Sequence, residues 1–168
     1  MNKTKPPLYI FSDASLHPQS GIGFGAYLRL EKDELFCKEL ESKINIKKFL
    51  HTSSTKLELE TLLWAFNEPN LKAFEITIYT DCQNIITLHQ RRERFEQNNY
   101  KTSKGKEIKN HQLYKAFFKS TDRLDCQFIK LKGHKKSSLK DEIDQIFTLV
   151  DRATRKALRQ NIQSIEQI

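Results

Sequence analysis

With 168 residues and 38% hydrophobic content, the chain falls in the globular range and is long enough to bury a core, so a single domain over 1–168 is the simplest organisation. Lys and Arg outnumber Asp and Glu by 29 to 21, a net charge of +8 that favours a polyanionic partner. No stretch approaches membrane-spanning length, which excludes a helical membrane protein, and Cys37, Cys82 and Cys126 form no CxxC pair and read as reduced thiols. The expectation is a soluble, cytoplasmic monomer with no membrane partner and a flexible segment at 1–7.

The first structured stretch, Leu8-Tyr9-Ile10-Phe11-Ser12-Asp13, is a run of strand formers that ends in a carboxylate. Turn residues follow through Gly23, and Phe24-Gly25-Ala26-Tyr27-Leu28-Arg29-Leu30 resumes as a strand. A hairpin turn at Glu31-Lys32-Asp33 and a third strand over Glu34–Leu40 would complete an antiparallel meander. Gly21, Gly23 and Gly25 lack the spacing and the strand-to-helix setting of a dinucleotide loop, and read instead as sites of close backbone packing. After Thr52-Ser53-Ser54-Thr55, the apolar residues Leu59, Leu62, Leu63 and Phe66 fall at helical spacing. Thr55-Lys56-Leu57-Glu58 matches a capping box, which gives Glu58 a local explanation, and periodicity cannot choose between Glu58 and Glu60 for a functional role.

A second strand ends as the first does: Glu75-Ile76-Thr77-Ile78-Tyr79-Thr80 closes on Asp81. Ligands collect beyond the carboxyl ends of strands in α/β sheets, so two strands that deliver Asp there suggest one shared metal site. A helical pattern then runs from Ile85 to Phe95, and the polar, cation-bearing stretch 97–106 reads as a solvated loop or a phosphate-contacting protrusion. Leu113, Ala116 and Phe117 indicate a short helix, Cys126–Leu131 a last strand, and Lys132-Gly133-His134 a basic turn. The final helix carries Ile143, Ile146, Phe147, Val150, Ala157 and Leu158 at helical spacing, with Ser138-x-x-Asp141 as its start signal. Asp144 and Asp151 share a face two turns apart on it.

In order and context, Asp13, Glu58, Asp81, Gly133-His134 and a late helical Asp resemble the type 1 ribonuclease H family over nearly the whole chain. The sharper pieces are Ile10–Ser15 with Gly23–Leu28, Thr55–Leu59, Tyr79–Gln83 and Lys132–His134. The resemblance implies an α/β, ribonuclease H-like fold with a five-stranded mixed sheet of order 3-2-1-4-5 flanked by helices. It implies an endonuclease that hydrolyses the RNA strand of RNA/DNA hybrids by a two-metal mechanism, leaving 5′-phosphates. Two divalent ions roughly 4 Å apart stabilise the attacking and leaving oxygens, and hard ions such as Mg²⁺, or Mn²⁺ in its place, want oxygen ligands. By resemblance Asp13 would bridge both ions, Glu58 and Asp81 would hold one, and a late Asp the other. His134 would assist proton transfer or product release.

The late acid is Asp151, because Val150-Asp151-Arg152-Ala153-Thr154 looks like the family's closing helix, with Asp144 as the alternative. Substrate contacts implied by the resemblance are Ser15, Ser53, Ser54, Thr55, Arg91, Arg92, Tyr100, Lys101, Thr102 and Asn110, beside Lys109. Two other readings compete: a catalytically silent hybrid- or RNA-binding module of the same fold, and a related structure-specific nuclease. A plain structural domain with scattered acids leaves the ordered coincidence of five residues unexplained. Metal-dependent cleavage separates the enzyme from the silent module.

Overall fold

The structure, a computed structural model, describes residues 3–132, 136 and 141–167. At its centre is β1 (Pro7–His17), whose alternating side chains leave both faces apolar. It pairs antiparallel with β2 (Ile22–Glu31), from Leu8↔Glu31 to His17↔Ile22, and parallel with β4 (Glu75–Thr80), from Pro7↔Glu75 to Phe11↔Tyr79. Outer strands β3 (Asn45–Phe49) and β5 (Asp125–Lys130) complete the sheet in the order β3-β2-β1-β4-β5. This is the mixed five-stranded sheet that the resemblance implies.

Parallel pairing of β1 with β4 stops at Phe11, two residues before Asp13, while antiparallel pairing with β2 continues to His17. The strand therefore does not end at its acid, as the sequence pattern suggests. Asp13 stands inside an extended strand, beside the gap that opens where the parallel partner leaves.

Period-two alternation sorts the core into two layers. Leu8, Ile10, Ile76 and Ile78 face α1 (Ser54–Ala65) and α4 (His111–Thr121), along with Leu88 and Phe95 of α3 (Leu88–Gln97). Phe11, Leu28 and Leu30 face the long helix α5 (Glu142–Glu166), meeting Ile146, Phe147 and Val150. Phe11 and Tyr79 stack across the β1–β4 pair with centroids 4.9 Å apart.

Several local expectations fail for identifiable reasons. The segment 34–40 is not the third strand. Lys32–Phe36 forms a 3₁₀ turn, closed by the Glu34 carboxylate accepting from Glu31 N at 2.7 Å and from Lys43 Nζ at 2.7 Å. These local bonds compete with a strand ladder, and Leu40 turns inward to the α5 layer. The true β3 is an exposed edge whose two lysines blunt it, so it carries no alternation to read. Helix α1 begins at Ser54 with Ser53 as N-cap, so the expected Thr55–Glu58 capping box does not form. The single helix expected after Asp81 is broken at Thr87 into α2 (Gln83–Ile86) and α3. Helix α5 starts from a capping box between Asp141 and Asp144, and Ser138 lies outside the described residues. Of segment 1–7, residues 3–6 form no regular element and Pro7 opens β1.

The close packing expected at the glycines is observed. A Cβ on Gly23 would lie 2.4 Å from Leu57 Cδ2, and one on Gly25 would lie 1.9 Å from Thr61 Oγ1. Both contacts are with α1, which sits directly on the β2 backbone and carries Glu58 between the two contact residues. Gly25→Ala is expected to cost about 1–3 kcal/mol through overpacking, measured as a lowered denaturation midpoint, with partial recovery in the Gly25→Ala/Thr61→Ala double variant. An unchanged midpoint would show that α1 is not held by this contact.

Candidate metal centre

Three elements deliver one carboxylate each to the gap beside β1. Asp13 projects from β1, Glu58 from the second turn of α1, and Asp81 from the residue after β4. One ligand oxygen from each lies within 4.8 Å of the others. Asp13 is only 5% exposed, and Glu58 Oε2 is sealed from solvent with no hydrogen-bond partner among the described residues. Such an orphaned anionic oxygen is costly unless a cation or proton meets it. Burial pushes the Asp13 carboxyl well above the usual range, and the charges of Asp81 and Asp151 push it further. Glu58 is raised in the same sense by burial, then by Asp13 and Asp81. An all-oxygen set of this kind suits a hard divalent ion.

The geometry distinguishes Glu58 from Glu60. Glu60 does not join the cluster: its Oε2 accepts from Thr52 Oγ1 at 3.0 Å, and Lys56 lies 3.8 Å away. Asp151 lies near enough for its charge to raise the Asp13 carboxyl, but it is not among the three residues whose ligand oxygens cluster within 4.8 Å. Its Oδ1 also accepts from Arg155 Nε at 2.8 Å. Asp144, two turns earlier, is engaged at the start of α5, where its backbone N–H donates to Asp141 Oδ1 at 2.8 Å and its carboxylate accepts from Asp141 N at 3.3 Å. His134, with Gly133, lies outside the described residues.

The expected substrate residues fall into two groups. Ser53, Ser54, Thr55 and Asn110 line one cavity of about 430 Å³ at the N-terminus of α1, with Lys109 and Tyr114. Asn84 completes it by donating from Nδ2 to Thr55 Oγ1 at 2.9 Å. Sequence reasoning missed Asn84, although its place three residues after Asp81, at the start of α2, was a signal. Arg91 flanks this region, donating to the Asn84 carbonyl at 2.9 Å and lying over the Phe95 and Tyr114 rings.

The others diverge. Tyr100 is not a surface aromatic: it is 8% exposed, packs with Phe95, and has Lys115 over its ring. Arg92 forms a bidentate pair with Asp122 at 2.5 and 2.8 Å and a further bond to Glu96 at 2.7 Å, over the Phe118 ring. Its charge is therefore matched within the protein. Lys101 and Thr102 are exposed on a tight turn, where Thr102 N donates to Lys106 O at 2.7 Å. Ser15 hydrogen-bonds to Thr154 Oγ1 of α5 at 2.9 Å.

The raised carboxyls set a pH dependence whose sign is definite. Between the ordinary carboxylate range and the raised values the folded protein holds more protons than the unfolded chain, so metal-free stability falls as pH rises through that window. Mg²⁺ should therefore raise Tm by several degrees, more at pH 8 than at pH 6, and Asp13→Asn should raise the metal-free Tm while removing the Mg²⁺ response. Thermal denaturation with and without EDTA checks this, and an identical Mg²⁺ shift in Asp13→Asn would contradict the assignment.

Comparison with known proteins bears on family and fold. The family model for RNase H matches residues 5–158. The ribonuclease H of Haemophilus influenzae (strain 86-028NP) is 33% identical over 144 residues, covering 80% of this chain and 84% of the relative. Among solved structures, LC9-RNase H1, described as a type 1 RNase H with the type 2 active-site motif, superposes with a TM-score of 0.67 at 15% identity, covering 94% of this chain and 74% of that one. The foamy viral protease-reverse transcriptase, solved in complex with RNA/DNA hybrid, gives 0.65 at 13% identity, covering 91% of this chain and 20% of that one. At such identities the structural likeness speaks for the fold.

Proposed function

This chain belongs to the ribonuclease H family, and on that premise we propose that it hydrolyses the RNA strand of RNA/DNA hybrids at the Asp13–Glu58–Asp81–Asp151 centre. The family and its named relatives support endoribonuclease activity. The foamy viral relative in fold was solved with such a hybrid, which supports the substrate class. The observation that carries the reading is the convergence of three carboxylates, with one ligand oxygen of each within 4.8 Å of the others, while Glu58 also holds a buried oxygen without a partner among the described residues.

Mg²⁺, or Mn²⁺ in its place, supplies charge stabilisation to the attacking and leaving oxygens when bound as a pair. In this reading Asp13, Glu58, Asp81 and Asp151 would hold the ions, with Asp13 contributing to both, Glu58 and Asp81 to one and Asp151 to the other. His134 would carry a proton to or from the reacting oxygens, or assist product release.

The hybrid is held beside this centre by the cavity at the N-terminus of α1. Its first-turn N–H groups lack helical acceptors and, with Thr55, Asn84, Asn110 and Lys109, suit a phosphate of the DNA strand. Arg91 adds positive charge nearby, and Lys101 and Thr102 offer contacts from the exposed turn. With Arg92 matched to Asp122 and Glu96, and Tyr100 packed in the core, the binding face rests on fewer groups than the sequence pattern implies.

Hybrid cleavage assayed with Mg²⁺ or Mn²⁺, with and without chelator, tests the proposal. Asp151→Asn should lower the rate roughly 10²- to 10³-fold. Asp144→Asn should keep the rate within about threefold and lose about 1 kcal/mol of stability through its capping box. The reverse pattern would move the fourth ligand to Asp144, and hybrid binding without metal-dependent cleavage would mark a silent binding module. Affinity for hybrid should also fall steadily with added salt; a flat response in a filter-binding titration would count against phosphate-led binding.

A further inference from the structure

Beyond the carboxylates, one contact ties the two elements that carry Asp13 and Asp151. Ser15 Oγ lies 2.9 Å from Thr154 Oγ1, and Thr154 Oγ1 lies 2.8 Å from the carbonyl oxygen of Asp151. Thr154 is fully buried, and its hydroxyl proton goes to the Asp151 carbonyl. Its remaining capacity toward Ser15 is as an acceptor, so Ser15 is the donor. The order of protons is fixed: Ser15 to Thr154, Thr154 to Asp151 O.

A helical Thr commonly bonds a carbonyl three or four residues back, so the second link alone would mean little. The first link crosses from β1 to α5, 139 positions along the chain. It leaves β1 two residues after Asp13 and meets α5 three residues after Asp151, whose charge acts on the Asp13 carboxyl. These like charges repel, and the partly exposed Arg155 pairs with Asp151 from one turn further along α5. A neutral bond behind the carboxylates can oppose that repulsion without competing for the oxygens that face the gap.

We propose that Ser15 and Thr154 are positioning residues that set the span between Asp13 and Asp151, and through it the affinity of that pair for a divalent ion. This replaces the sequence expectation of Ser15 as a substrate contact, and it rests on Asp151 being a ligand. The consequence is a separation of effects. Loss of the link weakens metal binding and leaves the hybrid KM in place, whereas loss of a substrate contact does the opposite.

The test uses Thr154→Val, which keeps volume and removes the hydroxyl, with Ser15→Ala, the double variant and Thr154→Ser. Two readouts are taken: the Mg²⁺ concentration giving half-maximal cleavage, and the Mn²⁺ dissociation constant from calorimetry in the absence of hybrid. Thr154→Val and Ser15→Ala should each raise both by roughly 3- to 10-fold, up to the lower bound of the roughly 10- to 100-fold effects of groups bonded directly to a metal ligand's side chain. The double variant should match the larger single effect within twofold, and Thr154→Ser should restore the wild-type values. Unchanged metal constants, or a raised hybrid KM alone in Ser15→Ala, would overturn the proposal. Should Thr154→Val fail to fold, Ser15→Ala, whose hydroxyl is only half-buried, decides the matter by itself. Asp151→Asn run alongside keeps the two readings apart: retained cleavage there removes the premise, while its loss with unshifted metal constants in Ser15→Ala rejects the positioning role alone.

Discussion

Carboxylates whose oxygens lie within 4.8 Å repel one another, and burial removes the water that would otherwise screen them. Asp13 and Glu58 register this as carboxyls held well above their ordinary range, with burial the larger cause and neighbouring charge the next. Left to itself such a cluster would push its elements apart. The rest of the fold can be understood as the set of contacts that hold the acids together until a cation relieves the strain.

Two of those contacts lie on opposite faces of the sheet. On one, Gly23 and Gly25 remove the side chains that would hold α1 off β2, so Leu57 and Thr61 seat against bare backbone and Glu58 comes down beside the gap. On the other, α5 is anchored by Ile146, Phe147 and Val150 against Phe11 and Leu28, one turn before the Ser15–Thr154 bond brings it to β1. The sheet supplies the third element, since the loss of parallel pairing after Phe11 leaves Asp13 and Asp81 facing a common opening. Apolar packing thus provides the free energy, and a few close approaches decide where it is applied.

How much of this was readable in the chain depended on whether the signal was local. The strands that carry or precede Asp13 and Asp81 and the apolar stripes of α1 and α5 were legible because burial imposes period 2 or 3.6 on the sequence, whereas the sheet order came from the family resemblance. Glycine packing was legible too, although its partners were not. The exposed edge strand β3 was missed because no buried face patterns it, and 34–40 was mistaken for a strand because its acid and lysine bonds compete with pairing in a way composition does not reveal. Glu58 against Glu60, and Asp151 against Asp144, could not be decided by spacing, since each pair borders the same stripe. In three dimensions Glu58 joins the cluster while Glu60 pairs with Thr52, and Asp144 is engaged with Asp141 at the start of α5. Arg92 and Tyr100 looked like ligand-facing groups because sequence does not show that Asp122 lies opposite one and Phe95 beneath the other.

The central claim is that the buried acids form one centre for divalent ions, and anomalous diffraction from crystals soaked in Mn²⁺ tests it most directly. The account predicts density in contact with Asp13, Glu58 and Asp81, and a second position in contact with Asp13 and Asp151. Density at Glu60 or Asp144 instead, or none touching Asp13, would contradict it.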